Sequence, residues 1–362
     1  MEPRELARQL VAIPSHEDEA EAGDYIERWL RDRTGAAVER DDHGNVIARR
    51  APGEDEESEA PTLALVGHHD VVSPDESQLN ATGGYAIREE SGRLYGRGTA
   101  DMKGSLAAAM VAFRDATPDC GLVFASLVGE ERGGVGARAA IEEGFAPDVA
   151  VVGEGSTGYS APGVTDVAVA HKGRRGSTIH AAGSAAHASE PAAGENAVYR
   201  AADAVDLVRD LAAPTTEVLG HEIRGSVVVT EIEGGSAWNV IPEACAVTID
   251  ERTVPGQRAP LDRVERLEGV TWAVDQDLPP MACDEADVAD LVTRAARPVQ
   301  RGSPRQVVKP HATDAGWLAA AGVTCVVCGA AEPGEAHTAT ESVSLDAVDR
   351  CERIYRGVAE RL

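Results

Sequence analysis

The chain alternates between short apolar runs and longer amphipathic stretches. Apolar runs at residues 62–66, 122–128 and 148–152 predict buried strands, whereas residues 104–116 and 136–144 have the spacing of helices. Strands that alternate with helices favour an α/β fold, in which helices cover both faces of a mixed sheet.

The two ends of the chain fit the same pattern. Residues 3–34 have helical spacing, which Pro14 divides into two helices, and residues 44–50 predict a strand. The charged segment 51–61 predicts a surface loop. Residues 288–299 predict a helix that resumes the first pattern.

Residues 173–279 follow a different pattern, which we interpret as an inserted α+β domain. The predicted order of strand, helix, strand, strand, helix, strand is that of ferredoxin-like domains. These elements lie at residues 176–183, 195–213, 226–235, 246–253, 261–269 and 270–275. Residues 277–285 would form the linker back, so that residues 1–172 and 280–362 together make a discontinuous first domain.

Length and composition agree with a two-domain globular protein. The chain has 362 residues, of which 43% are hydrophobic. No apolar run reaches the roughly 18 residues of a membrane span, and the first ten residues lack the apolar core of a signal peptide. We therefore expect a cytoplasmic protein.

Six scattered cysteines include one CxxC pair, Cys325 and Cys328. A structural zinc site would need a second pair, and none exists in the sequence. The apolar residues around the pair favour a buried strand. A redox enzyme built on this pair is the weaker alternative.

The net charge of −27 narrows the range of partners. The sequence has 61 acidic and 34 basic residues, and only three of the basic residues are lysines. Such a surface repels nucleic acid and anionic membranes. Abundant acid with scarce lysine favours a halophilic protein, whose surface repulsion is screened by salt; an acidic protein from an ordinary cytoplasm is the alternative.

Acidic and imidazole side chains follow the predicted strands of the first domain. They are His68, Asp70, Glu130, Glu131, Glu154 and His337, and Asp101 precedes a predicted helix. Ligands bind beyond the carboxyl ends of the strands in open α/β sheets, so we expect these groups to meet in one crevice. A solvated loop is the alternative for each group taken alone.

This donor set predicts two divalent metal ions. Histidines and carboxylates without cysteine suit zinc, manganese or cobalt. Two histidines with three carboxylates exceed the ligands of one tetrahedral zinc with an open position, and they fit two metals that share one carboxylate. Of the adjacent pair Glu130 and Glu131, one could bind metal and the other could move a proton.

Five segments lie in a fixed order along the chain: GHHDVV (67–72), YGRGTADMKG (95–104), GEERGGVGA (129–137), VVGEGS (151–156) and AHTATESV (336–343). In content and order they resemble the dinuclear zinc hydrolases that include acetylornithine deacetylase, succinyl-diaminopimelate desuccinylase, aminoacylase and carboxypeptidase G. Two positions depart from the family pattern, because Gly129 replaces an aspartate and Gly155 replaces a proline. Neither is an expected metal ligand.

The resemblance implies a role for each of these side chains. His68 and Glu154 would bind one metal ion, Glu131 and His337 the other, and Asp101 would bridge them. Asp70 would orient His68, Glu130 would be the general base and then the acid, and the bond from Asp101 to Met102 would be cis. His69 receives no role.

The inserted segment carries further resemblances. AGSAAHASEP (182–191) resembles the family segment whose histidine, here His187, stabilises the oxyanion. Asn239 and Arg252 correspond to substrate-binding positions, and arginine suits a substrate carboxylate because its guanidinium binds it through two hydrogen bonds. Thr313 and Asp314 resemble an active-site wall, although His311 stands where a small residue is expected.

The resemblance implies a metal-dependent hydrolase that cleaves the amide bond of an N-acyl amino acid. A dipeptidase or carboxypeptidase of the same family is one alternative, and a metal-binding protein without catalysis is another. The family also implies a homodimer that pairs through the inserted domain, in which His187 and Asn239 reach the metals of the other chain.

Overall fold

The computed structural model describes residues 2–51 and 60–362, so the loop predicted at 51–61 lies almost wholly outside the described residues. The described residues form eight α-helices: α1 Pro3–Val11, α2 Ala20–Arg33, α3 Gly104–Asp115, α4 Val135–Glu142, α5 Ala197–Arg209, α6 Ala286–Ala296, α7 Asp314–Ala320 and α8 Leu345–Ala359. None of these helices combines the length and the apolar character of a membrane-spanning segment.

The strands, in chain order, are β1 Ala37–Arg40, β2 Val46–Arg50, β3 Thr62–His68, β4 Arg88–Glu90, β5 Arg93–Tyr95, β6 Gly121–Leu127, β7 Val149–Val152, β8 Val167–His171, β9 Gly173–Ala182, β10 Ala186–His187, β11 Thr215–Val218, β12 His221–Arg224, β13 Ser226–Gly234, β14 Val240–Ile241, β15 Ala244–Thr253, β16 Val270–Leu278, β17 Met281–Ala282, β18 Gln306–Lys309, β19 Thr324–Val327 and β20 Ser342–Ser344. They belong to two compact units, which are described separately.

The first unit comprises Met1–Ala170, Met281–Lys309 and Thr313–Leu362. Its main sheet has the order β1-β2-β6-β3-β7-β19-β8-β17, and β18 pairs with β8. Strands β6, β3, β7 and β19 are mutually parallel, whereas β2 and β8 are antiparallel to their neighbours β6 and β19. The predicted α/β class with a mixed sheet is confirmed.

Helices cover both faces of this sheet. On one face, Ala137 of α4 and Leu318 of α7 share a buried cluster with Ala64 and Val66 of β3. Leu65 of β3 is also buried but points to the opposite face, because side chains alternate along a strand. That face is covered by α3, which also packs against α1 and α8.

The second unit comprises His171–Pro280 and Pro310–Ala312. Its four-stranded antiparallel sheet has the order β13-β15-β9-β16, and α5 packs against β9, β13 and β15. This is the strand order of a ferredoxin-like domain. The dimerisation or lid role of the unit stays a prediction.

Two details of the sequence interpretation are wrong. The helix predicted at 261–269 is a six-residue 3₁₀ helix, Leu261–Arg266. Its buried residues Leu261 and Val264 are three apart, and residues with that spacing share one face of a 3₁₀ helix. The linker predicted at 277–285 contains β17, because Met281 is fully buried and joins the core of the first unit.

The interpretation of the CxxC pair as a buried strand is confirmed. Cys325 lies in β19 and Cys328 follows it directly, and both side chains are buried free thiols. Burial raises the pKa of the Cys328 thiol well above its usual value. A thiol held in this neutral form is a poor nucleophile, so the pair packs in the core and does not support a redox site.

Candidate metal centre

The predicted metal ligands lie where parallel strands of the first unit end. His68 is the last residue of β3, Glu130 and Glu131 follow β6, Glu154 follows β7, and His337 lies in the segment after β19. These four strands are adjacent and parallel, so their carboxyl ends meet at one edge of the sheet. The segment before α3 adds Asp101 to the same place.

One carboxylate, that of Asp101, lies between the two histidines. Its Oδ1 is 3.1 Å from Nε2 of His68, and its Oδ2 is 3.1 Å from Nε2 of His337. A second carboxylate completes each group: Oε1 of Glu154 lies 3.2 Å from Nε2 of His68, and Oε1 of Glu131 lies 2.9 Å from Nε2 of His337. The structure thus holds two histidine–carboxylate groups that share Asp101.

Glu130 lies beside the first of these groups. One of its carboxylate oxygens is within 4.8 Å of the ligand atoms of His68 and Glu154. Among the described residues, no hydrogen bond or ion pair involves the Glu130 carboxylate. Glu154, Asp101 and Glu131, in contrast, each contact a histidine directly. Of these four carboxylates, Glu130 is the one that pairs with neither histidine.

Asp70 fixes two parts of the centre at once. His68 donates from Nδ1 to the backbone oxygen of Asp70 at 3.0 Å, and the Asp70 carboxylate lies 3.3 Å from the same nitrogen. The two oxygens of that carboxylate also accept from the backbone N–H groups of Glu130 and Glu131, each at 3.1 Å. Such contacts leave Nε2 of His68 as the nitrogen that faces the carboxylates.

Both histidines are drawn towards the protonated form by their neighbours. Burial opposes a charge on His68, but its hydrogen bonds to carboxylates, that of Asp101 first, hold its pKa well above the usual value. Hydrogen bonds to Asp101 and Glu131 raise the pKa of His337 to about 10. Burial, together with the neighbouring carboxylates, raises the pKa of Glu130 well above its usual value.

The residues present fit divalent metal ions. Four carboxylates crowd two imidazoles in a largely buried region, and this excess of negative charge is balanced only in part by protons on the histidines. Cations at the two groups would balance it more completely. Nitrogen and oxygen donors without thiolate suit zinc, cobalt or manganese. The two groups thus offer the donors that two divalent ions require.

A buried cation, Lys309, was not expected at the centre. Its Nζ lies 3.1 Å from Oε2 of Glu154, and both residues are buried. Burial lowers the pKa of Lys309, but the charges of Glu154, Tyr159 and Asp101 together outweigh burial and raise this pKa above its usual value. The sequence carried one signal for this residue, because lysine occurs only three times beside many arginines.

Local backbone conformation agrees with the motifs. The bond from Asp101 to Met102 is cis, as the resemblance implied. Gly129, which replaces the expected aspartate, has a φ of 60° in the left-handed region that glycine adopts most easily. A Cβ at Gly155 would lie 2.7 Å from Cβ of Ala331, so a side chain there would require a shift of that segment.

The second unit brings His187 and Asn239 together. Strand β10 pairs with β14, and the N–H of Ala188 donates to the backbone oxygen of Asn239 at 2.9 Å. The backbone N–H of Ser189 donates to Nδ1 of His187 at 3.2 Å. In a neutral ring the hydrogen then resides on Nε2, so the exposed His187 presents a hydrogen-bond donor.

The two other predicted substrate residues have structural partners. Arg252 donates from Nε to Oδ1 of Asp250 at 2.8 Å, within its own strand. Thr313 caps α7, because its hydroxyl accepts from the N–H of Ala315 at 3.2 Å. Asp314 is buried with both oxygens lacking a partner among the described residues, and burial raises its pKa to about 7.

Comparisons with known proteins identify a family that the chain matches. Residues 64–361 match the family model described as peptidase family M20/M25/M40. An acetylornithine deacetylase of Myxococcus xanthus is 31% identical over 318 residues, which are 82% of this chain and 79% of the relative. A putative LysW-lysine/LysW-ornithine hydrolase of Pyrobaculum aerophilum is 28% identical and covers 100% of this chain and 98% of its own length. The crystal structure of the aminopeptidase PepT from Bacillus cereus superposes with a TM-score of 0.78 at 20% identity, covering 98% of this chain and 97% of that one.

Proposed function

We propose, on the premise that this chain belongs to peptidase family M20/M25/M40 and is an amide-bond hydrolase, that it removes the acyl group from an N-acylated diamino acid such as acetylornithine. The observation that carries the proposal is the pair of histidine–carboxylate groups sharing Asp101, with the free carboxylate of Glu130 beside them.

The two groups would hold the metal ions. His68 and Glu154 would bind one ion, His337 and Glu131 would bind the other, and Asp101 would bridge them. When bound, divalent ions supply Lewis acidity at the substrate carbonyl and the attacking water.

The chain's own side chains would move the proton and stabilise charge. Glu130 would take a proton from the attacking water and return it to the leaving amine nitrogen, and its raised pKa suits a group that must hold this proton in between. Nε2 of His187 would donate to the carbonyl oxygen as negative charge develops there. Asp70 would keep His68 and the backbone of Glu130 in position.

The names of two relatives support the proposed substrate class. The names of both relatives include ornithine, a diamino acid. Arg252 would bind the substrate carboxylate, with Asn239 and Thr313 as further contacts. A dipeptidase or carboxypeptidase activity is the alternative within the family; the non-catalytic alternative is set aside because the chain is a hydrolase.

Other expectations stay predictions. They are zinc as the native metal, with cobalt or manganese as alternatives, a homodimer, and a salt-adapted cytoplasmic setting.

The substrate proposal is tested by comparing kcat/KM for N-acetylornithine, N-succinyl-diaminopimelate and simple dipeptides with zinc-loaded protein in molar KCl. We expect an N-acyl diamino acid to be at least about tenfold better than any dipeptide, which corresponds to about 1.4 kcal/mol of discrimination. Faster cleavage of dipeptides would favour the peptidase alternative.

A further inference from the structure

A buried carboxylate to which the sequence analysis gave no role, Glu341, lies against the loop that carries Asp101. Glu341 is 1% exposed, and it follows His337 by four residues in the chain. It directly precedes β20, which pairs with β5 at the start of the same loop. One short segment therefore carries a predicted metal ligand and this carboxylate.

Both oxygens of Glu341 are used to hold that loop. Oε1 accepts from the backbone N–H groups of Ala100 at 2.9 Å and Asp101 at 3.1 Å. Oε2 accepts from the N–H of Gly98 at 3.1 Å and from Nη1 of Arg97 at 2.5 Å. Four donors thus converge on one buried carboxylate, which compensates for its removal from water.

The backbone of the loop is shaped for this contact. Gly98 has a φ of 80°, and a Cβ there would lie 2.6 Å from Cγ1 of Val71. The loop can therefore pass this close only with glycine at this position. The backbone oxygen of Glu341 also accepts from the N–H of Gly96 at 3.1 Å, so the loop is fixed at both of its ends.

We propose that Glu341 is a positioning residue of the metal centre, which sets the backbone of Asp101 so that one oxygen faces His68 and the other faces His337. The proposal rests on the proposed two-metal centre. Because Glu341 and His337 belong to one segment, the same carboxylate also couples the placement of the bridging ligand to that of a terminal ligand. If Glu341 served only to form the ion pair with Arg97, it would stabilise the fold without affecting metal binding.

The test is zinc binding to metal-free protein by Glu341→Gln. The amide removes one acceptor from the N–H groups and places a donor against them. Zinc affinity is measured by competition with a chromophoric chelator, and Co²⁺ absorption reports ligand geometry. Loss of a residue that orients a metal ligand typically weakens metal binding by about 10–100-fold. We expect this loss in at least one of the two sites, with a changed Co²⁺ spectrum.

Glu352→Gln is the matched control, because Glu352 is also buried but pairs with Arg356 in α8. Glu341→Asp is the second variant; it keeps the charge for Arg97 but draws the oxygens back from the loop, and we expect weaker zinc binding here too. Native zinc affinity in folded Glu341→Gln would overturn the proposal. So would failure of both variants to fold even with excess zinc, since the carboxylate would then serve folding. If the unaltered protein bound no metal, the proposed function itself would fail.

Discussion

Lys309 and Glu154 form a buried ion pair at the centre: Nζ lies 3.1 Å from Oε2, while Oε1 of the same carboxylate faces His68 at 3.2 Å. One oxygen of Glu154 therefore contacts the ammonium group of Lys309, and the other faces the place where a metal ion would bind. In metal-free protein, the positive charge of Lys309 balances part of the negative charge of Glu154.

The first prediction concerns Lys309→Met. In metal-free protein this change leaves Glu154 buried without its cation, and breaking a buried pair in this way typically costs about 3–5 kcal/mol. Bound zinc would compensate for part of the lost charge. We therefore expect a large loss of unfolding free energy without zinc, and a smaller loss with it, by chemical denaturation.

Lys172→Met is the control, because Lys172 is only partly buried and should change stability little. Equal destabilisation by Lys309→Met with and without zinc would show that the ion pair and the metal do not share Glu154.

The second prediction concerns Glu130→Gln. The carboxylate contacts neither histidine, so the variant should keep two zinc equivalents. It should lose about 10²–10⁴-fold in kcat, the usual contribution of a proton-transfer group. Glu142→Gln, on the exposed side of α4, serves as the control. Undiminished turnover would exclude Glu130 as the base, and loss of zinc would identify it as a ligand.

The third prediction concerns pH. Carboxylate partners raise the pKa of His337 from 6.5 to about 10 in metal-free protein. The stability that this group contributes is therefore fully present below pH 6.5 and is lost as pH rises towards 10. Zinc must displace the proton, so zinc affinity should rise with pH over this range. Calorimetry at pH 7 in two buffers of different ionisation enthalpy should detect released protons, and fewer of them in His337→Ala; an equal number in that variant would contradict the prediction.

The fourth prediction concerns the proposed dimer. If His187 serves the partner's metal centre, then mixing His187→Ala with Glu130→Ala gives heterodimers in which one site lacks both groups and the other is intact. As chains exchange in an equal mixture, activity should rise towards about a quarter of the native value, because half of the dimers are then heterodimers with one intact site of two. Verified heterodimers that stay inactive would mean that His187 acts within its own chain or has no role.

Part of this centre could be predicted from the local sequence pattern. Apolar runs mark strands, and His68, Glu154 and the Glu130–Glu131 pair follow them directly. Their meeting was predictable because parallel strands end at one edge of a sheet. The local spacing of apolar residues also led to one wrong prediction, an α-helix at 261–269, because Leu261 and Val264 fit a 3₁₀ helix as well as an α-helix.

The contacts of Lys309 and Glu341 could not be predicted in this way. Lys309 reaches a residue 155 positions earlier, and Glu341 reaches a loop more than 200 positions earlier. Such pairs depend on how loops pack after the sheet has formed. Nothing in the local sequence distinguishes a buried glutamate from the many solvated ones in so acidic a chain.

The central claim is a two-metal centre that hydrolyses N-acyl diamino acids, and a zinc titration of activity tests it most directly. Metal-free protein in molar KCl is given zero to three equivalents of zinc, and acetate release from N-acetylornithine and succinate release from N-succinyl-diaminopimelate are followed by proton NMR. We predict negligible release without zinc, and release that rises until two equivalents are bound per chain and then levels off. No release of either acid from folded protein holding two equivalents, or full activity without metal, would contradict the account.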